Sequence, residues 1–301
     1  MAYIVPTKDH PADLFKLLQS FRRQTELPDQ IIIVDGSDNV VDNLINQFSD
    51  LKIDYIRIYP PGLTKQRNAG VKALRPEITI AGYLDDDLVL DEKATENMLK
   101  FWDSASAQLG GTSFNITNNT PMPLNWYTKL FWINKGEQGV ILKSGFNVVL
   151  FPVYKDTQVQ WLCGGATIWR KKVLDNYKFE EWFQGCAYID DIDFCMRVRK
   201  KYELMVVEGA KVEHFCVPVV GKKNYQLAKA NVINRYYFVK KYPELSASFF
   251  FWAVFGHIAA NILLGILTFK KTKLYNALGS MAGVLSTLNG GLNTTNRDFH
   301  K

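Results

Sequence analysis

The sequence predicts an α/β protein built on a doubly wound, mostly parallel sheet, because strand-like and helix-like segments alternate along its first half. Apolar runs typical of strands lie at Met1–Val5, Ile31–Val34 and Ile53–Ile58. The second run is apolar on both faces, as parallel strands covered by helices are. A fourth run, Ile78–Leu84, follows Pro76 and is rich in β-branched residues.

Helices are predicted between these runs. The first has apolar residues at helical spacing, and the next three cover about Val40–Phe48, Thr64–Gly70 and Asp91–Ser104. Farther along, Gly164–Trp169 is predicted to be a strand whose glycines allow a close backbone approach. Two short strands are predicted at Leu204–Val207 and Val212–Phe215, with Val212 and His214 on one face.

The composition describes a folded protein, with 47% hydrophobic and 22% charged residues in 301. The net charge of +6 favours a membrane surface over a nucleic-acid partner, because the positive residues gather beside the most apolar stretch. The four cysteines form no CxxC pair and no zinc-site spacing, which indicates reduced thiols. Because a strand begins at the N-terminus, we expect no cleavable signal peptide.

Three consecutive carboxylates, Asp85, Asp86 and Asp87, follow the fourth predicted strand. Adjacent carboxylates raise one another's pKa unless a cation lies among them, and oxygen ligands suit Mg²⁺ or Mn²⁺. Ligands of open α/β sheets bind beyond the carboxyl ends of the strands, so a metal site is predicted here. The alternative is a solvated acidic turn before a helix, with an aspartate as its N-cap.

An apolar segment, Ser246–Phe269, is uncharged except for one histidine and is long enough to span a bilayer. A weaker uncharged segment covers Leu274–Leu292. Lysines flank both ends of the first segment, so we expect in-plane or re-entrant helices, or a hairpin, rather than a single crossing. The alternative is a buried helical pair that caps a soluble domain. The predicted division is therefore a folded domain over residues 1–240 and a membrane-associated helical segment over residues 241–301.

Five short motifs occur in an order that carries a family resemblance. They are Ile4-Val5-Pro6-Thr7, Ile33-Val34-Asp35-Gly36-Ser37, Arg67-Asn68-Ala69-Gly70, Asp85-Asp86-Asp87 and Asp190-Asp191-Ile192-Asp193. Over residues 1 to about 215 the chain resembles family 2 glycosyltransferases, inverting enzymes with a GT-A fold that include bacterial membrane-associated members. The second motif has one Asp where many relatives have two, and Asp190 replaces a common Glu. The Gln-x-x-Arg-Trp signature of processive synthases is absent, which favours transfer of one sugar or a few.

The resemblance implies a nucleotide-sugar site formed by Pro6, Thr7, Asp35, Arg67, Asp85 and Asp86. Asp35 would accept a hydrogen bond from the nucleotide base, and Asp85 would contact the ribose or a metal-bound water. Asp86 is expected to point away from the metal, because alternate residues of an extended chain face opposite sides. The alternative for Asp35, less favoured than binding, is that it caps the next helix, and Arg67 could equally be a surface residue in a first helical turn.

The resemblance also implies a divalent metal, Mg²⁺ or Mn²⁺, held by Asp87 and His214, although a lone strand histidine is also compatible with a structural role. Asp191 would be the catalytic base, because the acceptor hydroxyl must lose a proton as it attacks the anomeric carbon. Asp190 would orient its neighbour or contact the acceptor. Asp193 is expected to pair with Arg197 on the helix surface.

The implied reaction moves a sugar from a UDP- or dTDP-sugar to a hydroxyl of a saccharide or polyprenyl-linked acceptor. The expected setting is cell-surface polysaccharide synthesis at the cytoplasmic face of the membrane, with residues 105–160 contacting the acceptor. A sugar-nucleotide nucleotidyltransferase is an alternative, but it would normally have a Gly-rich basic loop where Pro6-Thr7-Lys8-Asp9 stands. A non-catalytic, membrane-anchored sugar-binding module is a second alternative.

Overall fold

A computed structural model describes residues 1–183, 188–215 and 221–290. The chain divides into two compact units. The first, here called the sheet unit, comprises Met1–Pro121, Leu150–Glu181 and Asp190–Cys216, and the second, the helical unit, comprises Met122–Val149, Trp182–Ile189 and Val217–Lys301. The predicted functional division after residue 240 stays a prediction.

The sheet unit contains one nine-stranded sheet in the order β3-β2-β1-β4-β8-β6-β9-β5, with β7 paired to β9. The strands are β1 (Ala2–Thr7), β2 (Gln30–Asp35), β3 (Ile53–Arg57), β4 (Ile80–Leu84), β5 (Leu88–Leu90), β6 (Leu109–Ile116), β7 (Thr157–Val159), β8 (Ala166–Arg170) and β9 (Glu203–His214). Strands β3, β2, β1 and β4 are parallel neighbours, as are β6 and β9, whereas β8, β5 and β7 run antiparallel to theirs. The predicted α/β class is confirmed, with a mixed sheet.

The helices within the described residues are α1 (Pro11–Arg22), α2 (Asp42–Ile45), α3 (Leu63–Lys72), α4 (Ala94–Asp103), α5 (Trp126–Leu130), α6 (Lys171–Asn176), α7 (Asp190–Val198), α8 (Lys222–Lys241), α9 (Ala247–Leu267) and α10 (Lys271–Leu288). A short 3₁₀ turn, Asn46–Phe48, follows α2. The helix predicted over Val40–Phe48 is therefore shorter than expected and tightens at its end. No helix or strand is predicted from the sequence over the residues of helix α8.

The last strand of the sheet corrects one prediction. The two short strands expected at Leu204–Val207 and Val212–Phe215 form a single strand, β9, of 12 residues. Its register against β6 shifts between Phe114 and Asn115, so Glu208–Ala210 bulge out of the ladder. The Asn115 side-chain amide donates to the Glu208 carbonyl at 3.2 Å, which satisfies one group that the bulge removes from regular pairing.

Close helix contacts build the helical unit. Helix α10 packs on α8, where a Cβ at Gly279 would lie 2.2 Å from the Tyr225 carbonyl oxygen. On α9, a Cβ at Gly256 would lie 2.3 Å from the Phe131 ring. Among the described helices, only α9 is long and apolar enough to cross a membrane, and 33% of its most apolar window is buried.

Candidate active site

The two predicted metal ligands, Asp87 and His214, converge with the predicted donor-binding residue Asp85 where β4 ends. Asp85 and Asp87 follow β4, and His214 is the last residue of β9. Strand β5 pairs with β9 so that Leu88 faces His214, which brings the imidazole beside the preceding aspartate. One ligand atom from each of Asp85, Asp87 and His214 lies within 4.8 Å of the others. The spacing suits three side chains that share one ion.

The hydrogen bonding of Asp87 tests whether a divalent metal fits. Its Oδ1 atom is buried and accepts no well-formed hydrogen bond from any described residue, although Nε2 of His214 lies 2.9 Å away. A buried carboxylate oxygen without a donor is unfavourable unless a cation or a proton supplies the missing charge. Carboxylate oxygens with one imidazole nitrogen form a donor set suitable for Mn²⁺ and compatible with Mg²⁺. The residues present therefore fit the predicted metal.

Asp86 points away from this cluster, as the alternation of an extended chain predicts. Its Oδ2 accepts a hydrogen bond from the Thr7 hydroxyl at 2.6 Å, and Oδ1 lies 3.5 Å from Nδ1 of His10. Burial raises the pKa of Asp86 to about 6, while the Thr7 hydrogen bond opposes the increase. The carboxylate thus ties the end of β1 to the end of β4. Pro6, the neighbour of Thr7, is buried within β1 opposite Val34.

Arg67 on α3 links two acidic groups of the site. Its Nη2 donates to Asp85 Oδ1 at 3.2 Å, and its Nη1 donates to Asp190 Oδ2 at 2.7 Å. The guanidinium also lies over the rings of Tyr83 and Phe179, 5.7 and 5.0 Å from their centroids. Burial alone would lower the pKa of Arg67, but Asp190 and Asp85 outweigh it and raise this pKa. At 2% exposure, the alternative of a surface arginine is wrong.

Helix α7 begins at Asp190 and presents two carboxylates from its first turn. Asp190 pairs with Arg67, and burial raises the pKa of Asp190 while the guanidinium opposes the increase. Asp191 accepts the backbone N–H of Gly164 on Oδ2 at 3.1 Å and that of Ile192 on Oδ1 at 2.8 Å. Burial raises the pKa of Asp191 as well, and the Gly164 hydrogen bond opposes that shift.

The third aspartate of the helix is a structural residue. Asp193 Oδ2 lies 3.2 Å from Nε of Arg197, which confirms the predicted pair. The predicted surface position is wrong, because Asp193 is fully buried and only Arg197 is partly exposed. A buried charge needs a partner, and Arg197 supplies it for Asp193, away from Asp85, Asp190 and Asp191.

Two glycines bring the acidic groups together. Gly164 and Gly165 form the turn before β8, rather than part of the strand as predicted, and the backbone carbonyl of Gly165 accepts the Asp85 N–H at 2.8 Å. A Cβ at Gly165 would lie 1.9 Å from Asp85 Oδ2, and one at Gly164 would lie 2.7 Å from Asp191 Cβ. The close backbone approach predicted for these glycines is confirmed.

The structure places Asp35 at the end of β2 with its carboxylate already occupied. Oδ1 accepts the Ser37 N–H at 2.8 Å, and Oδ2 accepts the Tyr55 hydroxyl at 2.7 Å and the Val41 N–H at 3.4 Å. The N-cap of α2 is Val41, so Asp35 orders the preceding loop rather than capping the helix directly. Because Asp35 is fully buried, a nucleotide base would reach it only after Tyr55 or this loop moved.

Sequence reasoning missed two positioning residues on α3. The Gln66 side-chain amide donates to the carbonyls of Thr7 and Val34 at 2.9 and 2.7 Å, which joins the ends of β1 and β2. Asn68 exchanges two hydrogen bonds with the backbone of Phe179, whose ring lies beside Arg67. The signal was present in the run Thr64–Gly70, which was predicted to open a helix and in which Thr64, Gln66 and Arg67 are in fact buried.

Comparison with known proteins identifies the family. The family model described as "Glycosyl transferase family 2" matches residues 3–177, while no curated protein sequence matches the chain. Among solved structures, a mannosyltransferase from Pyrobaculum calidifontis, PcManGT, is similar over 95% of this chain and 86% of its own, with a TM-score of 0.59 and 13% identity. Residues 1–349 of Staphylococcus aureus TarS give a TM-score of 0.51 at 14% identity, covering 96% of this chain and 91% of that one.

A longer TarS chain gives a TM-score of 0.52 at 15% identity, covering 77% of this chain but only 39% of TarS. At such low identity these structures show the fold alone, and the family match covers more than half of the sequence. The predicted GT-A fold and the predicted family are both confirmed. The chain is a glycosyltransferase that belongs to glycosyltransferase family 2.

Proposed function

We propose that the chain is an inverting, metal-dependent glycosyltransferase of the hexosyltransferase type. It would move a sugar from a UDP- or dTDP-sugar to a hydroxyl of a saccharide or lipid-linked saccharide. The observation that carries this proposal is the convergence of Asp85, Asp87 and His214, in which the buried Asp87 Oδ1 accepts no well-formed hydrogen bond from the described residues although the His214 imidazole lies 2.9 Å from it. The similar mannosyltransferase structure is a complex with GDP-Man and Mn²⁺, which supports a nucleotide-sugar donor and a divalent metal.

Asp87 and His214 would hold the metal, and Asp85 would contact the ribose or a metal-bound water. A divalent cation, when bound, would stabilise the negative charge that develops on the departing nucleoside diphosphate. Arg67 fixes the Asp85 carboxylate from the other side, because it donates to Asp85 and to Asp190 at once. The buried guanidinium of Arg67 thus holds Asp85 and Asp190 in place before any donor binds.

Asp191 would accept the proton of the acceptor hydroxyl. The backbone N–H groups of Gly164 and Ile192 hold its two oxygens, which fixes the direction of the carboxylate. Burial raises the pKa of Asp191, and a base with a pKa closer to the working pH transfers protons more effectively. Direct attack opposite the leaving group would invert the anomeric configuration in one step.

The acceptor would be a saccharide or a lipid-linked saccharide, and the enzyme would act in cell-surface polysaccharide synthesis at the cytoplasmic face of the cell membrane. Support comes from the helical unit, where α9 leaves large apolar side chains exposed, among them Trp252, Phe255, Leu263, Ile266 and Leu267. Lysines lie at both ends of this helix, which favours contact with one leaflet over a full crossing. Residues 105–160 would contact the acceptor.

A panel of nucleotide sugars incubated with the full chain and Mn²⁺ tests the proposal. We expect one UDP- or dTDP-sugar to release its nucleoside diphosphate, and proton NMR of the product to show an inverted anomeric centre. Release of pyrophosphate would identify a nucleotidyltransferase instead. Donor binding without any turnover, even with lipid-linked acceptors present, would favour a sugar-binding module.

A further inference from the structure

A second groove lies in the sheet unit, at the end of the sheet opposite the acidic cluster. Its volume is about 690 Å³, within the range of pockets that bind small molecules. The groove lies where β9 begins, at Glu203, whereas His214 ends the same strand. A strand of 12 residues that rises about 3.3 Å per residue places its two ends roughly 35 Å apart. The groove is therefore distinct from the site proposed for sugar transfer.

Most side chains that line this groove can form hydrogen bonds. Its apolar lining residues, Val159 and Leu204, are partners in the ladder between β7 and β9. Three amide side chains also line it, namely Gln108, Gln158 and Gln160. Residues around the start of β9 complete the lining, namely Arg199, Lys201, Tyr202 and Glu203.

This mixture of groups suits a ligand that both donates and accepts hydrogen bonds. A glutamine amide offers an oxygen that accepts and an NH₂ group that donates, a carboxylate only accepts, and a guanidinium only donates. A hydroxyl group donates one hydrogen bond and accepts others, so the neighbouring hydroxyls of a sugar ring match the lining. Phosphate oxygens only accept, and the carboxylate of Glu203 would repel them. The lining therefore favours a neutral saccharide over an anion.

Several contacts order the groove before any ligand binds. Nη1 of Arg199 donates to Oε1 of Gln160 at 2.9 Å, which fixes the direction of that amide. A Cβ at Gly110 would lie 2.4 Å from the Cβ of Tyr202, so only a glycine in β6 lets Tyr202 pack against the strand. The carbonyl of Val198 accepts the Tyr202 N–H at 3.1 Å, which holds the turn between α7 and β9. Because these side chains are already ordered, little conformational entropy is lost when a ligand binds.

We propose that this groove binds a neutral oligosaccharide, with Gln108, Gln158 and Tyr202 among its contacts. The inference rests on the proposed function for the saccharide class alone. An enzyme that adds sugars to a saccharide chain gains affinity for long acceptors from a second contact, because the linked contact raises the effective concentration. No bond changes in the groove, so binding is measured without a donor.

Saturation-transfer difference NMR of the full chain, in a detergent without a sugar head group, tests the groove. The probes are maltotetraose, cellotetraose, chitotetraose and mannotetraose. The groove variant combines Gln108→Ala with Gln158→Ala, and it keeps the fold because both side chains are exposed. The matched control combines Gln19→Ala with Gln47→Ala, which are exposed glutamines of the same unit outside the groove.

We expect at least one tetrasaccharide to bind saturably to the wild type and about tenfold more weakly to the groove variant, because hydrogen bonds from two side chains are lost. The control variant should bind like the wild type, and excess inorganic phosphate should not displace the tetrasaccharide. Displacement by phosphate would identify an anion site and overturn the proposal. Absence of binding by all four probes, or equal affinities for the wild type and the groove variant, would also overturn it.

Turnover measured on the same preparations keeps this proposal separate from the proposed function. Wild-type protein that binds a tetrasaccharide in the groove but transfers no sugar would contradict the proposed function alone. Wild-type protein that transfers sugar but binds none of the probes in the absence of donor would contradict the groove alone.

Discussion

Oδ1 of Asp87 lies 2.9 Å from Nε2 of His214, although the two residues belong to segments far apart in the sequence. The pairing of β5 with β9 produces this contact, because Leu88 and His214 are partners in the ladder. The Asp85 carboxylate, which follows β4, lies beside them. The pairing of β5 with β9 therefore brings together the two proposed metal ligands, Asp87 and His214.

The first prediction concerns the proposed base. Asp191→Asn keeps the shape of the side chain but removes its basicity, so turnover should fall about 10²- to 10⁴-fold. Affinities for donor and metal, measured by calorimetry, should barely change. Asp190→Asn is the comparison variant, and it should lower the melting temperature because Arg67 loses a buried charged partner. Normal turnover by Asp191→Asn, with Asp190→Asn inactive, would move the base one residue earlier.

The pH dependence of kcat/KM follows from the same assignment. A base acts only when ionised, so activity should fall as the pH falls through the pKa of Asp191. Burial raises this pKa, so the midpoint of the acid limb should lie above the ordinary aspartate value of about 3.9. Rate profiles of wild type and Asp191→Asn with a slow donor check this. An acid limb that persists unchanged in the variant would assign the titration to another group.

The turn at Gly164–Gly165 gives a third prediction. Gly165→Ala should displace the Asp85 carboxylate, because the new Cβ would lie 1.9 Å from its oxygen. Donor affinity should fall by an order of magnitude or more, roughly the value of one charged hydrogen bond, while circular dichroism stays native. Gly209→Ala is a matched control in β9, where the nearest atom to the added Cβ is 3.6 Å away. Equal donor affinities for both variants would contradict the account.

The sequence predicted much of the fold and of the candidate site. Runs of apolar residues predicted β1 to β4, apolar residues at helical spacing predicted α1, and the order of the motifs predicted the family. Contacts between distant segments were not readable, because no local pattern encodes them. The Arg67 bridge from Asp85 to Asp190 is one example, since a helix-opening arginine looks like a surface residue until tertiary packing buries it.

Other failures have equally specific causes. The bulge at Glu208–Ala210 interrupts the alternation of inward and outward side chains along β9. Two short strands were therefore predicted where the structure has one. The residues around Asp35 form a motif that predicted nucleotide binding. The hydrogen bond that its carboxylate accepts from the Tyr55 hydroxyl could not be predicted, because Tyr55 lies on another strand. The roles predicted for Pro6, Thr7, Asp35 and Asp86 in donor binding stay predictions.

The fourth prediction concerns membrane contact. Leu263, Ile266 and Leu267 on α9 are 58%, 60% and 66% exposed, so replacing all three with Gln should not disturb the core. Co-sedimentation with anionic vesicles should fall severalfold, because apolar area no longer enters the bilayer. The matched control replaces three exposed hydrophobic residues of the sheet unit with Gln, namely Leu27, Tyr59 and Tyr154. This variant should sediment with vesicles like the wild type. Full solubility of the wild type in detergent-free, low-salt extracts would argue against membrane association.

The central claim is that Asp87 and His214, beside Asp85, hold a divalent cation needed for departure of a nucleoside diphosphate. Phosphorus NMR of the full chain with its donor and acceptor tests it most directly, with Asp87→Asn compared to the isosteric Asp86→Asn. We expect nucleoside diphosphate to accumulate in the wild type, to stop after chelation and to resume with Mn²⁺. Asp87→Asn should be inactive, and Asp86→Asn should retain turnover within about tenfold, since its amide oxygen still accepts the Thr7 hydroxyl. Undiminished turnover after exhaustive chelation, or in Asp87→Asn, would contradict the account.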